Sequence, residues 1–182
     1  MIRGTLFKPS RPSNPVLSTG IPLISATIKV PRLSIENSVV LFADTGADRT
    51  SLHLRDAVRI FGLRKYRQLI NPTDVKGVGG PAEYYVEPAL IAFKHEDGKP
   101  EGFGFDLQIA KPSDKATTEF RSKMYPWTDD PAELDKKVPT LSVETLRELT
   151  IKFYLPAVLG RDIMSQFRVV IDWISSEFYM DH

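Results

Sequence analysis

Cysteine is absent from the 182-residue chain, and with it every disulfide, thiolate metal site and thiol nucleophile. A small secreted scaffold stapled by bridges is thereby excluded, and a cytoplasmic setting is the expectation. A surplus of charge is missing as well. The 24 Lys and Arg and 23 Asp and Glu nearly cancel and are scattered along the chain, which argues against nucleic acid or an anionic membrane as partner. Long apolar runs are lacking too. The longest, such as residues 39–43, are far too short to cross a bilayer, and no signal-type apolar segment follows the basic, proline-rich start. The three histidines, His53, His95 and His182, share no metal-ligand spacing, and no Gly-x-Ser-x-Gly elbow accompanies them, so neither a metal, a cofactor nor a serine triad is expected.

What is present reads as one mostly β domain over residues 21–182, preceded by an irregular arm over 1–20 that holds Pro9, Pro12, Pro15 and Gly20. Residues 22–30 mix β-branched side chains with a two-residue alternation, and 39–43 is a compact apolar run. Both predict strands, the second buried. Residues 51–61 place Leu54, Ala57, Val58 and Phe61 at helical spacing, with Gly62 as a stop. Between Tyr66 and Phe93 two strand-like segments flank Gly77-Val78-Gly79-Gly80, the pattern of a long hairpin with a glycine-rich tip. A further strand is predicted at 102–110.

Residues 111–154 are polar and proline-containing, and so long a structureless loop is unusual in a compact domain. Two short helices are predicted inside it. Asp130-Pro131-Ala132-Glu133 carries N-cap, N1 proline and acid, and Ser142 caps a second with Val143, Leu146 and Leu149 on one face. The end returns to core texture, with a strand at 155–159, a helix from Gly160 to Phe167, and a closing hairpin from 169–173 and 177–180.

The chemistry candidate is Asp44, which follows the apolar run 39–43 and opens Asp44-Thr45-Gly46-Ala47-Asp48. A carboxylate placed at the end of a buried strand is not casually solvated. Thr45 offers a hydroxyl to the loop backbone, and Gly46 permits close main-chain approach or positive φ. An Asx-type turn at a strand end is the structural alternative. A string such as Asp-Thr-Gly-Ala arises by chance in roughly one chain of this length in a few hundred, so it decides nothing alone. Gly77 to Gly80 lacks the lysine-bearing phosphate-loop pattern, and no helix signal follows it.

Taken together, Asp44-Thr45-Gly46-Ala47-Asp48, then Val75-Lys76-Gly77-Val78-Gly79-Gly80, then Ala157-Val158-Leu159-Gly160-Arg161-Asp162 resemble, in that order, the retropepsin family of retroviral-type aspartic peptidases. The resemblance covers most of residues 21–110 and 155–180. It implies an all-β fold: a small closed barrel with a flap hairpin, one helix near the C-terminus and, peculiar to this chain, the helical insertion at about 111–154. It also implies an aspartic endopeptidase that works as a homodimer on a polypeptide substrate, each subunit giving Asp44, Thr45 and Gly46 to a shared site. Ala47, Asp48, Gly77, Val78, Gly79 and Gly80 would contact substrate, with 77–80 as the flap tip. Val158, Leu159 and Gly160 would pack beneath the loop, and Arg161 would pair with Asp48. One Asp-Thr-Gly is present in the chain and no second copy, so the two-carboxylate chemistry requires another chain. The competing expectation is a catalytically silent dimer of the same fold that binds peptide or serves as a scaffold.

Overall fold

The structure, a computed structural model, describes residues 1–7, 20–70, 72–77, 80–111, 142 and 157–182, without the side chains of 63, 75–77 and 80–82. The two predicted helices of the insertion lie outside the described residues, as do Val78 and Gly79. The described chain is mostly β. It divides into two compact units, the first made of Met1–Ser51, Pro88–Leu107 and Pro156–His182, the second of Leu52–Glu87 and Gln108–Leu155.

In the first unit the longest pairing joins β3 (Ile21–Val30) to β4 (Ile35–Ala43), antiparallel from Leu23↔Phe42 to Val30↔Ile35. The connection is a single 3-10 turn, Pro31–Leu33, closed by Ser34 in the left-handed region at φ 49°. Period-two alternation sends Ile24, Ala26, Ile28 and Val30 inward from β3, and Val39, Leu41 and Ala43 inward from β4. Complete burial of a side chain such as Ile28 or Leu41 stabilises by about 2 kcal/mol. The expected strand at 39–43 therefore exists, but it starts earlier, at Ile35, because pairing with β3 continues through the polar stretch Glu36, Asn37 and Ser38.

β4 is flanked on its other side by β9 (Ala157–Leu159), in parallel, with Leu41↔Ala157, Phe42↔Val158 and Ala43↔Leu159. β9 in turn meets β5 (Ser51–Leu52) at Val158↔Ser51. Residues Ala157 and Leu159 are wholly buried. The short helix α2 (Arg161–Met164) follows directly and ends three residues short of the expected Phe167. β10 (Arg168–Asp172) and β11 (Glu177–Asp181) form the closing hairpin, as their spacing predicts.

Two short strands revise the reading of the start as an irregular arm. β1 (Ile2–Arg3) pairs with β11 at Ile2↔Met180, and β2 (Thr5–Phe7) pairs with β3 at Thr5↔Leu23. Ionic contacts tie this terminal sheet to the turn after β7 (Gly80–Lys94): Arg3 reaches both Glu96 and Glu177. His95 and His182 both bond to Glu101, at 2.7 and 2.9 Å, and His182 stacks on Phe167. Partial burial acts to raise the Glu101 carboxyl, but the bonds and charges of His182 and His95 outweigh it and hold the group below its ordinary range. Neither histidine is free, and among the described residues no group of three or more His, Cys, Asp or Glu side chains could hold a metal ion.

In the second unit, α1 (Leu54–Tyr66) buries Leu54, Ala57, Val58 and Phe61, the face that the spacing predicts. Gly62, expected as the stop, is instead a break inside the helix, at φ 64° and ψ 155°, after which a further turn runs to Tyr66. Only glycine takes that backbone conformation without strain. The Tyr66 hydroxyl donates to the Ala110 carbonyl at 2.7 Å, at the end of β8 (Pro100–Ala110), and its ring meets Tyr85 edge-on. β6 (Pro72–Gly77) pairs with the start of β7 from Pro72↔Tyr85 to Gly77↔Gly80, so the glycine-rich hairpin forms where it is predicted. No described helix is long and apolar enough to cross a membrane.

Candidate active site

Asp44 stands one residue beyond β4, and its N–H donates to the Leu159 carbonyl at 3.2 Å, extending the β4–β9 pairing by one step. The chain then turns. Ala47 N–H donates to the Asp44 carbonyl at 3.1 Å, and Gly46 N–H donates to Asp44 Oδ1 at 2.9 Å. Locally this is the Asx turn that the sequence admits as an alternative. Asp44 is half-buried, Thr45 and Gly46 are exposed, and the second carboxylate oxygen of Asp44 has no partner among the described residues.

One expectation for the loop is corrected and one alternative is settled. The Thr45 hydroxyl bonds no backbone among the described residues, because the side chain faces solvent. Gly46 does not use positive φ, which among the described glycines is taken by Gly20, Gly62 and Gly98. Its requirement is space, since a Cβ there would sit 3.2 Å from Asp44 Oδ1.

The rest of the loop is held from the start of α2. Arg161 N–H donates to the Ala47 carbonyl at 2.9 Å and Asp162 N–H to the Asp48 carbonyl at 3.1 Å. These are helix N–H groups that have no partner inside the helix, so loop and helix satisfy each other. Gly160 passes so close to the loop that an added Cβ would lie 2.3 Å from the Arg49 carbonyl carbon and 2.7 Å from Thr50 N. Val158, Leu159 and Gly160, the residues expected beneath the loop, are all buried.

 Arg161 also reaches across to Asp48 with its guanidinium.

The hydrogen bond from Arg161, and then its positive charge, hold the Asp48 carboxyl below its ordinary range. Both side chains are more exposed than not, at 76% and 62%, so solvent screens the pair and the buried strands carry the stability of the region. Because the folded value is depressed, the contribution of the pair is complete above about pH 4 and is lost as the pH falls through the lower, folded value. Replacing Arg161 by methionine is expected to return Asp48 toward the ordinary carboxylate value. A carboxyl-detected NMR titration of parent and variant checks this, and an unchanged Asp48 midpoint would contradict the pairing.

Of the residues singled out in the sequence, Asp44 to Asp48 and Val158 to Arg161 are thus brought together within the first unit. Gly77 and Gly80 pair with each other at the hairpin end in the second unit. Two residues without an assigned role join the loop network: Thr50, which is fully buried, and Asp162, which binds it. The signal for Asp162 was its place after Gly160-Arg161. Nothing local marks Thr50, whose partner is 112 residues away.

Chemically, a half-buried carboxylate with one oxygen already accepting an N–H can serve as a base or as an acid, but not as both at once. The nearest carboxylates in the network are committed, Asp48 to Arg161 and Asp162 to Thr50. Set against models of known protein families and against curated proteins, the chain matches none.

Proposed function

We propose that the chain is one half of an aspartic endopeptidase of the retropepsin type, a homodimer in which Asp44 of each copy faces the other. The observation that carries this reading is the Asp44 loop: a carboxylate at the end of a buried strand, with one oxygen unpartnered among the described residues, in a loop fastened at both ends to Leu159, Gly160, Arg161 and Asp162. The order of the three sequence motifs supports it. So does the β6–β7 hairpin, which is of the kind expected for a flap, and on this reading the β-rich fold is a small closed barrel. A cytoplasmic setting fits a chain without cysteine.

Two carboxylates within hydrogen-bond distance do not both ionise cheaply, so the dyad holds one proton. The ionised member takes a proton from a water placed between them, and the oxygen of that water attacks the peptide carbonyl carbon. The protonated member gives its proton to the carbonyl oxygen, which yields a neutral gem-diol and no covalent enzyme intermediate. Collapse of the diol breaks the C–N bond. The member that took the water proton gives it to the departing nitrogen, and the now ionised member takes a proton from a diol hydroxyl as the C=O reforms, so the dyad again holds one proton. Activity is expected at acidic to near-neutral pH, where that state is populated.

The other reading, a silent dimer that binds peptide or acts as a scaffold, is favoured by the exposed Thr45 and by the Asx turn at Asp44, which is sufficient to account for the loop geometry on its own. Incubation with mixed peptides at several pH values, with and without a hydroxyl-bearing transition-state mimic, separates the two. Hydrolysis suppressed by the mimic supports the peptidase. Binding of peptide without any cleavage supports the scaffold.

A further inference from the structure

We propose that the outer face of α1 and the turn after it form a binding surface for double-stranded DNA, which it holds by the phosphates and without regard to sequence. The inference goes beyond the peptidase reading and uses none of its residues. Charge balance over the whole chain, which argues against such a partner, conceals a local excess. Residues 54–70 hold Arg55, Arg59, Arg64, Lys65 and Arg67 against one acid, Asp56, a net of +4 in a chain whose total is +1. The remaining residues therefore sum to −3. A basic stripe on an otherwise acidic molecule is the electrostatic footprint of a polyanion site.

The fold turns this excess outward. Leu54, Ala57, Val58 and Phe61 anchor α1 in the core of its unit, so the opposite side carries the cations. Arg59, Arg64 and Arg67 are exposed, and Arg55 and Lys65 are half-buried. Asp56 accepts from Arg59 at 3.2 Å and neutralises that one guanidinium. Arg64 and Arg67 have no partner among the described residues. The helix itself gains little from the pattern. Arg64 and Lys65 suit its last turn, but Arg55 lies at its positive end and four residues from Arg59, and both placements are unfavourable.

The side chains of this face choose among the polyanions. A membrane takes up an interfacial helix by its apolar face, and here that face is buried. A protein partner is held mainly by apolar and aromatic anchors at the centre of the contact, and Ile70 is the one exposed apolar side chain described in this segment. A single nucleic-acid strand stacks its bases on exposed aromatics, whereas Tyr66 is buried, with its ring against Tyr85 and its hydroxyl on Ala110. Duplex RNA is read through its 2′-hydroxyls as well, and Gln68 is the one exposed neutral polar side chain described here. Duplex DNA needs none of these, since its phosphates alone supply sequence-independent binding. Arginine, four of the five cations, meets a phosphate with two N–H donors at once.

The test is fluorescence anisotropy of a labelled short DNA duplex titrated with the full-length protein over a series of salt concentrations. With Arg59 held by Asp56, four cations are left for phosphate, so log K is expected to fall with log salt at a slope of about −3.6. Affinity is then lost by roughly 100-fold between about 50 and 200 mM salt. Arg64→Gln combined with Arg67→Gln is expected to weaken binding equally for duplexes of different sequence and to reduce the slope by about 1.8. Lys94→Gln combined with Lys99→Gln removes the same charge from exposed residues of the first unit and is expected to leave affinity and slope near those of the parent. Circular dichroism checks that each variant keeps the fold. No saturable binding at low salt, an arginine variant that binds like the parent, or a lysine control that loses as much overturns the inference. So does a parent that binds poly-glutamate, anionic lipid vesicles or an RNA duplex more tightly than the DNA. Each of these results leaves the peptidase reading as it stands.

Discussion

Replacing Asp44 by asparagine is expected to leave the fold and the dimer intact while peptide hydrolysis falls on the order of 10⁴-fold, the scale on which loss of a single catalytic group acts. That fall corresponds to about 5 kcal/mol of lost transition-state stabilisation. The fold is expected to survive for a local reason. The side chain is half-buried and its one described bond is the Gly46 N–H on Oδ1, which an asparagine oxygen also accepts. The loop is held by its main chain, through Asp44 N–H and the Ala47 and Asp48 carbonyls, and none of these changes. Circular dichroism, sedimentation and a peptide-library assay on the same preparation make the comparison. Cleavage at the parent rate would remove Asp44 from the mechanism.

The second large effect is expected at Gly160. Alanine there places a methyl 2.3 Å from the Arg49 carbonyl carbon and 2.6 Å from its oxygen, and these are backbone atoms that no rotamer change moves aside. The backbone of Gly160, at φ −93° and ψ 176°, is open to any residue, so the cost is steric and not conformational. Forcing apart the loop and the strand end that leads into α2 costs about 3 kcal/mol, at the upper side of ordinary overpacking. For a chain of this size that lowers the thermal midpoint by roughly 6–12 °C. The same displacement breaks the Gly160 N–H bond to Thr50 Oγ1, so activity is expected to fall more than stability alone explains. A thermal midpoint within 1 or 2 °C of the parent, about the effect of a surface change, would contradict the close packing.

The strands that carry a clear alternation were legible in the sequence. β3 announces itself through Ile24, Ala26, Ile28 and Val30, and α1 through Leu54, Ala57, Val58 and Phe61, since burial of one face imposes the period. The hairpins were legible from their glycines and turns. β1 and β2 were not, because two and three residues are too few to show a period and they exist only by pairing with β11 and β3. Ser51, read as the start of a helix, is instead drawn into a strand by Val158. At the candidate site the loop itself was legible, as an acid after an apolar run. The clamp was not. Thr50 and Asp162 look like an ordinary hydroxyl and an ordinary helix-start acid until the parallel pairing of β4 with β9 brings them together.

The central claim is that two copies of Asp44 make one site, and mixing parent with the Asp44→Asn variant tests it most directly. With the parent concentration fixed and subunits allowed to exchange, an about nine-fold excess of variant leaves roughly one tenth of parent subunits paired with another parent subunit. A shared dyad predicts that activity falls to roughly that fraction. Activity that stays at the level of the parent alone, in a mixture shown by sedimentation to have exchanged, would contradict it.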